Sequence, residues 1–357
     1  MPEPVSINKP AVQGERFFQN LLDRWSQAVS SKTGSVDVDL RLCDHHLRLR
    51  FSSRRLQSSF IRAFQHCLTS IPVSQKPDFI IHVFDGADIS LPESPWLQSD
   101  FQRRSEISHN FGDDILASFL LGPDILNVYH RKLKQAVYWI RNGYEVPFYE
   151  QAAPFRHLLH WWLRERGWLL VHGAGIGDQA GRGLLLMGKG GSGKSTTATA
   201  ALKDSLKFCG DDYCAVKTTP PFRLASIYPT AKLTLETCRM LSLVPPAEEG
   251  VNAGDKRVFF VAETNPEQIP ESLLLTALVL PNYQSAVNRP DLRSLTAAQV
   301  TMHMAVSSLY QMPHSGASEF ARLAGVARNL PGWQLAVPAD NPLAVTPILR
   351  KVLTHAE

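Results

Sequence analysis

The sequence predicts an α/β domain organised around a glycine-rich phosphate loop, preceded by a smaller α+β domain. Three observations carry this reading. The stretch Gly188-Lys189-Gly190-Gly191-Ser192-Gly193-Lys194-Ser195-Thr196 meets the Walker A pattern G-x-x-x-x-G-K-[ST] at every fixed position. The apolar run 183–187 before it reads as a buried strand, and the small residues of 195–202 after it read as a helix start. Far upstream, two alternating runs at 36–42 and 47–51 lie between helical patterns, which is the mark of a separate small unit.

Composition sets the outer bounds. A chain of 357 residues is long enough for two domains with their own cores. Lys and Arg number 37 against 33 Asp and Glu, a formal charge of +4, which argues against a dedicated nucleic-acid binder. The first residues lack the apolar segment of a signal peptide, and no run approaches the eighteen or so apolar residues of a membrane span. Arg164, Glu165 and Arg166 interrupt the one tempting stretch, 157–170. The five cysteines are odd in number and never spaced C-x-x-C, which fits reduced thiols in a cytoplasmic protein.

In chain order, residues 1–13 read as a loose tail. Phe17, Phe18, Leu21, Leu22, Trp25, Ala28 and Val29 fall at helical spacing and predict an amphipathic helix over 15–29. Val36, Val38, Leu40 and Leu42, then Leu47, Leu49 and Phe51, alternate with polar residues as two half-buried strands of a hairpin turning at 43–45. Leu56, Phe60, Ile61, Phe64 and Leu68 make a further helix face, followed by a strand at 79–84. Residues 86–108 read as an irregular connection, and three strands follow at 115–121, 125–130 and 135–140. A helix is expected to begin at Pro154, whose ring suits the first helical position, and to lead into a strand at 168–171. The division falls near 147: an N-terminal α+β domain over 1–146 and a phosphate-loop domain over 147–357.

Four features of the second half carry chemistry. Backbone N–H groups of the glycine loop and the positive end of the following helix cradle phosphates, with Lys194 on the β- and γ-phosphates and the Ser195 hydroxyl on Mg²⁺. His172 ends a predicted strand one strand before the loop; standing alone it would read as a core histidine. Asp211 and Asp212 close the run 206–210, where a nucleotide site needs carboxylates for metal and base, although a strand-ending turn also favours Asp. Lys232, and the pair Lys256 and Arg257, are the cations available to meet negative charge beyond the loop lysine. Asp113 and Asp114, in a loop after Gly112, read as a turn.

The order His172-Gly173, strand, phosphate loop, helix, Gly210-Asp211-Asp212 resembles the kinase domain of the HPr kinase/phosphorylase family and its HPr-kinase-like serine kinases, over residues 147–357. The resemblance implies a P-loop kinase fold of the HPr kinase/phosphoenolpyruvate carboxykinase type. It places the catalytic histidine, loop lysine and aspartate base on His172, Lys194 and Asp211, and a later-loop arginine near Lys256 or Arg257. Thr196 stands where the family usually has Glu, and the family's glycine-rich signature with its metal-binding Glu has no counterpart, so Glu236 is not assigned.

What this implies is transfer of the γ-phosphoryl group of ATP to a hydroxyl, a serine of a protein or peptide by resemblance. Asp211 is expected as base and Ser195 with Asp212 as metal holders. Alternatives are a small-molecule hydroxyl kinase and a non-catalytic ATP-binding regulatory module. Neither a nucleic acid nor a membrane is expected as partner, and a homo-oligomer stays open.

Overall fold

A computed structural model describes all residues except 1–8, 32–33, 71, 73–74, 95, 97, 102–104, 108–110, 247–254, 285–286 and 355–357. The chain is mixed α/β with several sheets and forms two compact units. It changes unit between Val146 and Pro147, but residues 60–67 belong with the second unit and 157–162 with the first. One cut at 147 therefore does not describe the division. Residues 1–8 of the expected tail lie outside the described residues; from Lys9 the chain is already helical.

The first unit holds α1 (Lys9–Ser30), β1 (Val36–Leu42), β2 (His45–Phe51), most of α2 (Arg54–Ile61), β3 (Phe79–Asp85), β4 (Ile115–Leu120), β5 (Ile125–His130) and β6 (Gln135–Ile140). Six strands form one sheet in the order β1-β2-β3-β6-β5-β4, with β2–β3 and β3–β6 parallel and the rest antiparallel. The apolar face of α1 covers this sheet: Phe17, Phe18, Leu21 and Trp25 pack with Phe84, Val128 and Val137. Helix α2 continues as a 3₁₀ turn, Arg62–Cys67.

The second unit begins with α3 (Phe148–Ala152). Helix α4 (Arg156–Arg164), whose residues 157–162 belong to the first unit, starts later than the proline rule suggests, because Phe155 takes a left-handed conformation, φ 59°, as its N-cap. There follow β7 (Trp168–His172), β8 (Ala174–Gly177), β9 (Arg182–Leu186), α5 (Lys194–Lys203), β10 (Lys207–Gly210), β11 (Tyr213–Lys217), β12 (Arg223–Ser226), β13 (Thr230–Thr234) and α6 (Leu235–Met240). The chain ends with β14 (Lys256–Phe260), α7 (Val261–Thr264), β15 (Ser272–Gln284), β16 (Asp291–Leu295), α8 (Ala297–Leu309), α9 (Ala317–Asn329), β17 (Gly332–Pro338) and α10 (Thr346–Thr354).

Nine of these strands form one sheet in the order β10-β8-β9-β15-β12-β11-β7, with β17 on β15 and β16 on β17. Strand β15 is parallel to β9 and β17 and antiparallel to β12. Alternation along β9 explains why its sequence is apolar throughout: Leu184 and Leu186 enter one core with Ala198 and Leu349, while Leu185 and Met187 enter the other with Val300 and Leu323. Helices thus cover both faces, α5 and α10 on one, α8 and α9 on the other. A separate two-stranded ribbon pairs β13 with β14. Among the described residues no helix is long and apolar enough to cross a membrane. All five cysteines are buried and form no disulfide.

Candidate active site

Strand β9 and helix α5 hold residues 188–193 between them. Gly193 caps the helix at φ 97°, a conformation that disfavours any side chain, and a Cβ on Gly188 would lie 2.7 Å from Leu280 Cδ1. Gly190 and Gly191 instead face open space, with no atom within 4 Å of an added Cβ. The loop therefore closes tightly at its two ends and leaves its middle open. Lys194 folds back over it, its Nζ donating to the carbonyls of Gly188 at 2.8 Å and Lys189 at 3.2 Å. Burial lowers the affinity of this ammonium for its proton, opposed by the nearby charges of Asp211 and Asp212.

The two acids face different partners. Gly210 ends β10 at φ 144°, where a Cβ would stand 2.6 Å from the Tyr228 carbonyl, so the chain turns sharply into Asp211 and Asp212. Asp211 is buried; its Oδ2 accepts the Lys232 backbone N–H at 3.0 Å, whereas its Oδ1 accepts no hydrogen bond. Burial raises the Asp211 pKa, and the neighbouring Ser195 hydroxyl works against that rise.

Asp212 is held by a second set. Pairing of β11 with β7 sets Tyr213 opposite His172, which brings His172 Nε2 to 3.3 Å from Asp212 Oδ1. Lys232 Nζ pairs with the other oxygen, Oδ2. Although burial works against it, the Lys232 ammonium and the His172 ring hold the Asp212 carboxyl far below the usual carboxylate range. His172 Nδ1 in turn lies 3.0 Å from Gln311 Nε2, and Gln311 Oε1 accepts from the Tyr213 hydroxyl.

His172, Lys194, Asp211, Asp212 and Lys232 line one cavity of about 360 Å³ with Gly190, Gly191, Gly193, Ser195 and Thr196. Of the expected site residues it brings together His172, Lys194, Asp211, Asp212 and Lys256. Arg257 is not among its lining residues, because neighbouring residues on a strand point to opposite sides; its guanidinium turns back on the Lys256 carbonyl at 3.0 Å. The same alternation puts Lys232 and Thr234 in the cavity and Ala231 and Leu233 in the core. Glu236, left unassigned from sequence, also lines the cavity, with Thr237, Met240 and Tyr283. The polar and apolar alternation of residues 230–234 was a readable signal for Lys232; none existed for Gln311, which meets His172 across 139 residues.

Oxygen donors for a hard cation are present: the orphaned Asp211 Oδ1 and the adjacent Ser195 hydroxyl. Among the described residues no group of three or more His, Cys, Asp or Glu could hold a metal ion unaided. The expected pairing of Ser195 with Asp212 does not match these contacts, since Asp211 stands beside Ser195 and both Asp212 oxygens are engaged elsewhere.

No family model matches the chain, and no curated protein matches it. Among solved structures, the chain is similar to the Hpr(Ser) kinase/phosphatase from Coxiella burnetii, with a TM-score of 0.29 and 11% identity, over 51% of this chain and 94% of that one.

Proposed function

We propose that this protein is an ATP-dependent kinase of the HPr-kinase-like type that transfers the γ-phosphoryl group to a hydroxyl, a serine of a protein or peptide. The single observation that carries the reading is the cavity in which an open glycine loop, Lys194, Ser195 and two differently partnered carboxylates converge.

Phosphoryl transfer needs positioning and charge neutralisation more than covalent chemistry. The backbone of residues 190–194 receives the phosphates. Lys194 exchanges its carbonyl partners for the β- and γ-oxygens, an exchange favoured because an ammonium gains more from phosphate than from two peptide oxygens. Ser195 and Asp211 would hold Mg²⁺, which would supply charge neutralisation for the transferred phosphoryl group.

Asp212 is the base. It receives the acceptor's proton as the new O–P bond forms and the bond from the γ-phosphorus to the bridging oxygen breaks, leaving ADP. Lys232 and His172 keep it ionised and aimed, and in a loose transition state the proton moves late, so a weakly basic carboxylate suffices. Lys256 adds positive charge at the cavity wall.

The test is incubation of the full chain with γ-labelled ATP and a lysate split into macromolecular and small-molecule fractions. Label in a polypeptide is expected. Label confined to metabolites would move the acceptor to small molecules, and release of free phosphate alone would leave only an ATP-binding regulatory module.

A further inference from the structure

We propose that Gln311 is a positioning residue that sets the tautomer of His172 and, through the ring, the direction of the Asp212 carboxylate. Gln311 follows α8 and sits outside the cavity, with its Nε2 3.0 Å from His172 Nδ1. The other ring nitrogen, Nε2, faces Asp212 Oδ1 at 3.3 Å. An ionised carboxylate only accepts, so that nitrogen must carry the proton. A neutral imidazole has one N–H, which leaves Nδ1 as an acceptor needing a donor. The amide NH₂ of Gln311 supplies it.

The orientation of that amide is itself fixed. Its Oε1 accepts from the buried Tyr213 hydroxyl, since a phenol is protonated at neutral pH and donates. Hydrogen bonds thus run in one direction, from Tyr213 to Gln311 to His172 to Asp212, where Lys232 meets the far oxygen. The His172 backbone N–H donates to Ser308 Oγ at 3.1 Å, so the ring hangs from the segment that also carries Gln311. Gln311 is exposed and fills no core space, so its contacts organise the ring without supporting the fold. The kinetic part of this proposal rests on the kinase reading above; the ring tautomer does not.

The experiment is ¹⁵N spectroscopy of the labelled full chain without nucleotide, with His172 assigned by its loss in His172→Gln. In the wild type Nε2 is expected to carry the ring proton and Nδ1 to accept. Gln311→Met keeps the length and removes both polar groups, so the two nitrogens should move toward averaged shifts. Gln311→Glu, which accepts but does not donate when ionised, should place a proton on Nδ1. In phosphoryl transfer, Gln311→Met should lower kcat about tenfold at unchanged KM for ATP, the scale of losing an outer partner of a working histidine. A wild-type ring that carries a proton on Nδ1, alone or together with Nε2, or a ring spectrum unchanged in Gln311→Met, overturns the proposal. A lowered melting temperature with an unchanged ring spectrum overturns it too, in favour of a structural role. Should the wild type transfer no phosphoryl group while the ring responds as stated, the positioning stands and the kinase reading falls.

Discussion

Asp212 and His172 meet at 3.3 Å across two neighbouring antiparallel strands, and the strand register alone brings them together. His172 is the last residue of β7 and Asp212 precedes the first of β11, so the pairing of Tyr213 with His172 sets the imidazole over the acid turn. The Gly173 backbone N–H donating to the Asp212 carbonyl at 3.2 Å closes the same corner. A site built this way is as rigid as the sheet that carries it.

Replacing Lys194 with Ala is expected to weaken ATP binding and abolish transfer together, because the ammonium serves phosphates in ground and transition states alike. Isothermal titration with ATP, beside a transfer assay, reads both. Unchanged turnover would remove the glycine loop from the mechanism.

Lys256 and Arg257 should separate cleanly. Lys256→Ala takes a cation from the cavity wall and should cut transfer about tenfold, whereas Arg257→Ala should leave it near the wild-type rate. A larger loss in the arginine variant would mean that β14 shifts register when substrate binds.

What the sequence could reveal was set by distance along the chain. The glycine loop, its strand and its helix are contiguous, so spacing and alternation displayed them in full. His172 and the acid pair were visible as strand ends, and their meeting required only that two strands be neighbours. The different partners of Asp211 and Asp212 were hidden, because they depend on side-chain direction at a turn. Arg257 was over-read because two adjacent cations on a strand cannot both face one cavity. Gln311 and Tyr283 come from distant segments whose local pattern carries nothing but helix and strand. The exchange of residues 60–67 and 157–162 between units was likewise hidden, since each segment continues a helix pattern without a break.

That exchange makes a fragment starting at 147 a poor domain. In the second unit Phe155 packs on Phe60 and Phe64, with ring centroids at 5.1 and 6.2 Å, and Phe64 also meets Tyr228 at 5.5 Å. Removing two fully buried phenylalanines costs on the order of 4–6 kcal/mol, a large part of a domain's stability. The fragment is expected to be insoluble or to melt far below the full chain in a thermal scan. A 147–357 fragment that matches the full chain's melting temperature would show that residues 60–67 contribute little.

Two histidines, His82 buried and His66 half-buried, should tie stability to acid. Burial lowers the pKa of His66 and of His82 to about 4, from an ordinary value near 6.5, and neither Nδ1 has a hydrogen-bond partner. Between those values the unfolded chain binds protons that the folded chain refuses, so stability must fall as pH falls from about 6.5 toward 4. Each histidine contributes about 3 kcal/mol to that loss, as an order of magnitude. Urea unfolding at pH 7 and at pH 5 should show the drop, and His66→Gln or His82→Gln should flatten it. A midpoint independent of pH in this window would mean that water reaches both rings.

The carboxylate pair gives the sharpest test. Asp211 is buried with its Oδ1 free of hydrogen bonds and Ser195 nearby, so Asp211→Asn keeps the shape but removes the charge that a divalent cation needs. It should raise the Mg²⁺ concentration for half-maximal rate about tenfold, with excess Mg²⁺ restoring part of the activity. Asp212 has both oxygens engaged by His172 and Lys232, and Asp212→Asn removes a proton acceptor while leaving the loop untouched. Transfer should fall by about 10² to 10⁴ at nearly constant ATP affinity, and no amount of Mg²⁺ should repair it. Magnesium titrations of both variants, with nucleotide binding measured apart from turnover, decide the matter. If Asp211→Asn is the variant that Mg²⁺ cannot rescue, the base is Asp211, and the contacts of Asp212 serve only to hold Lys232 and His172 in place.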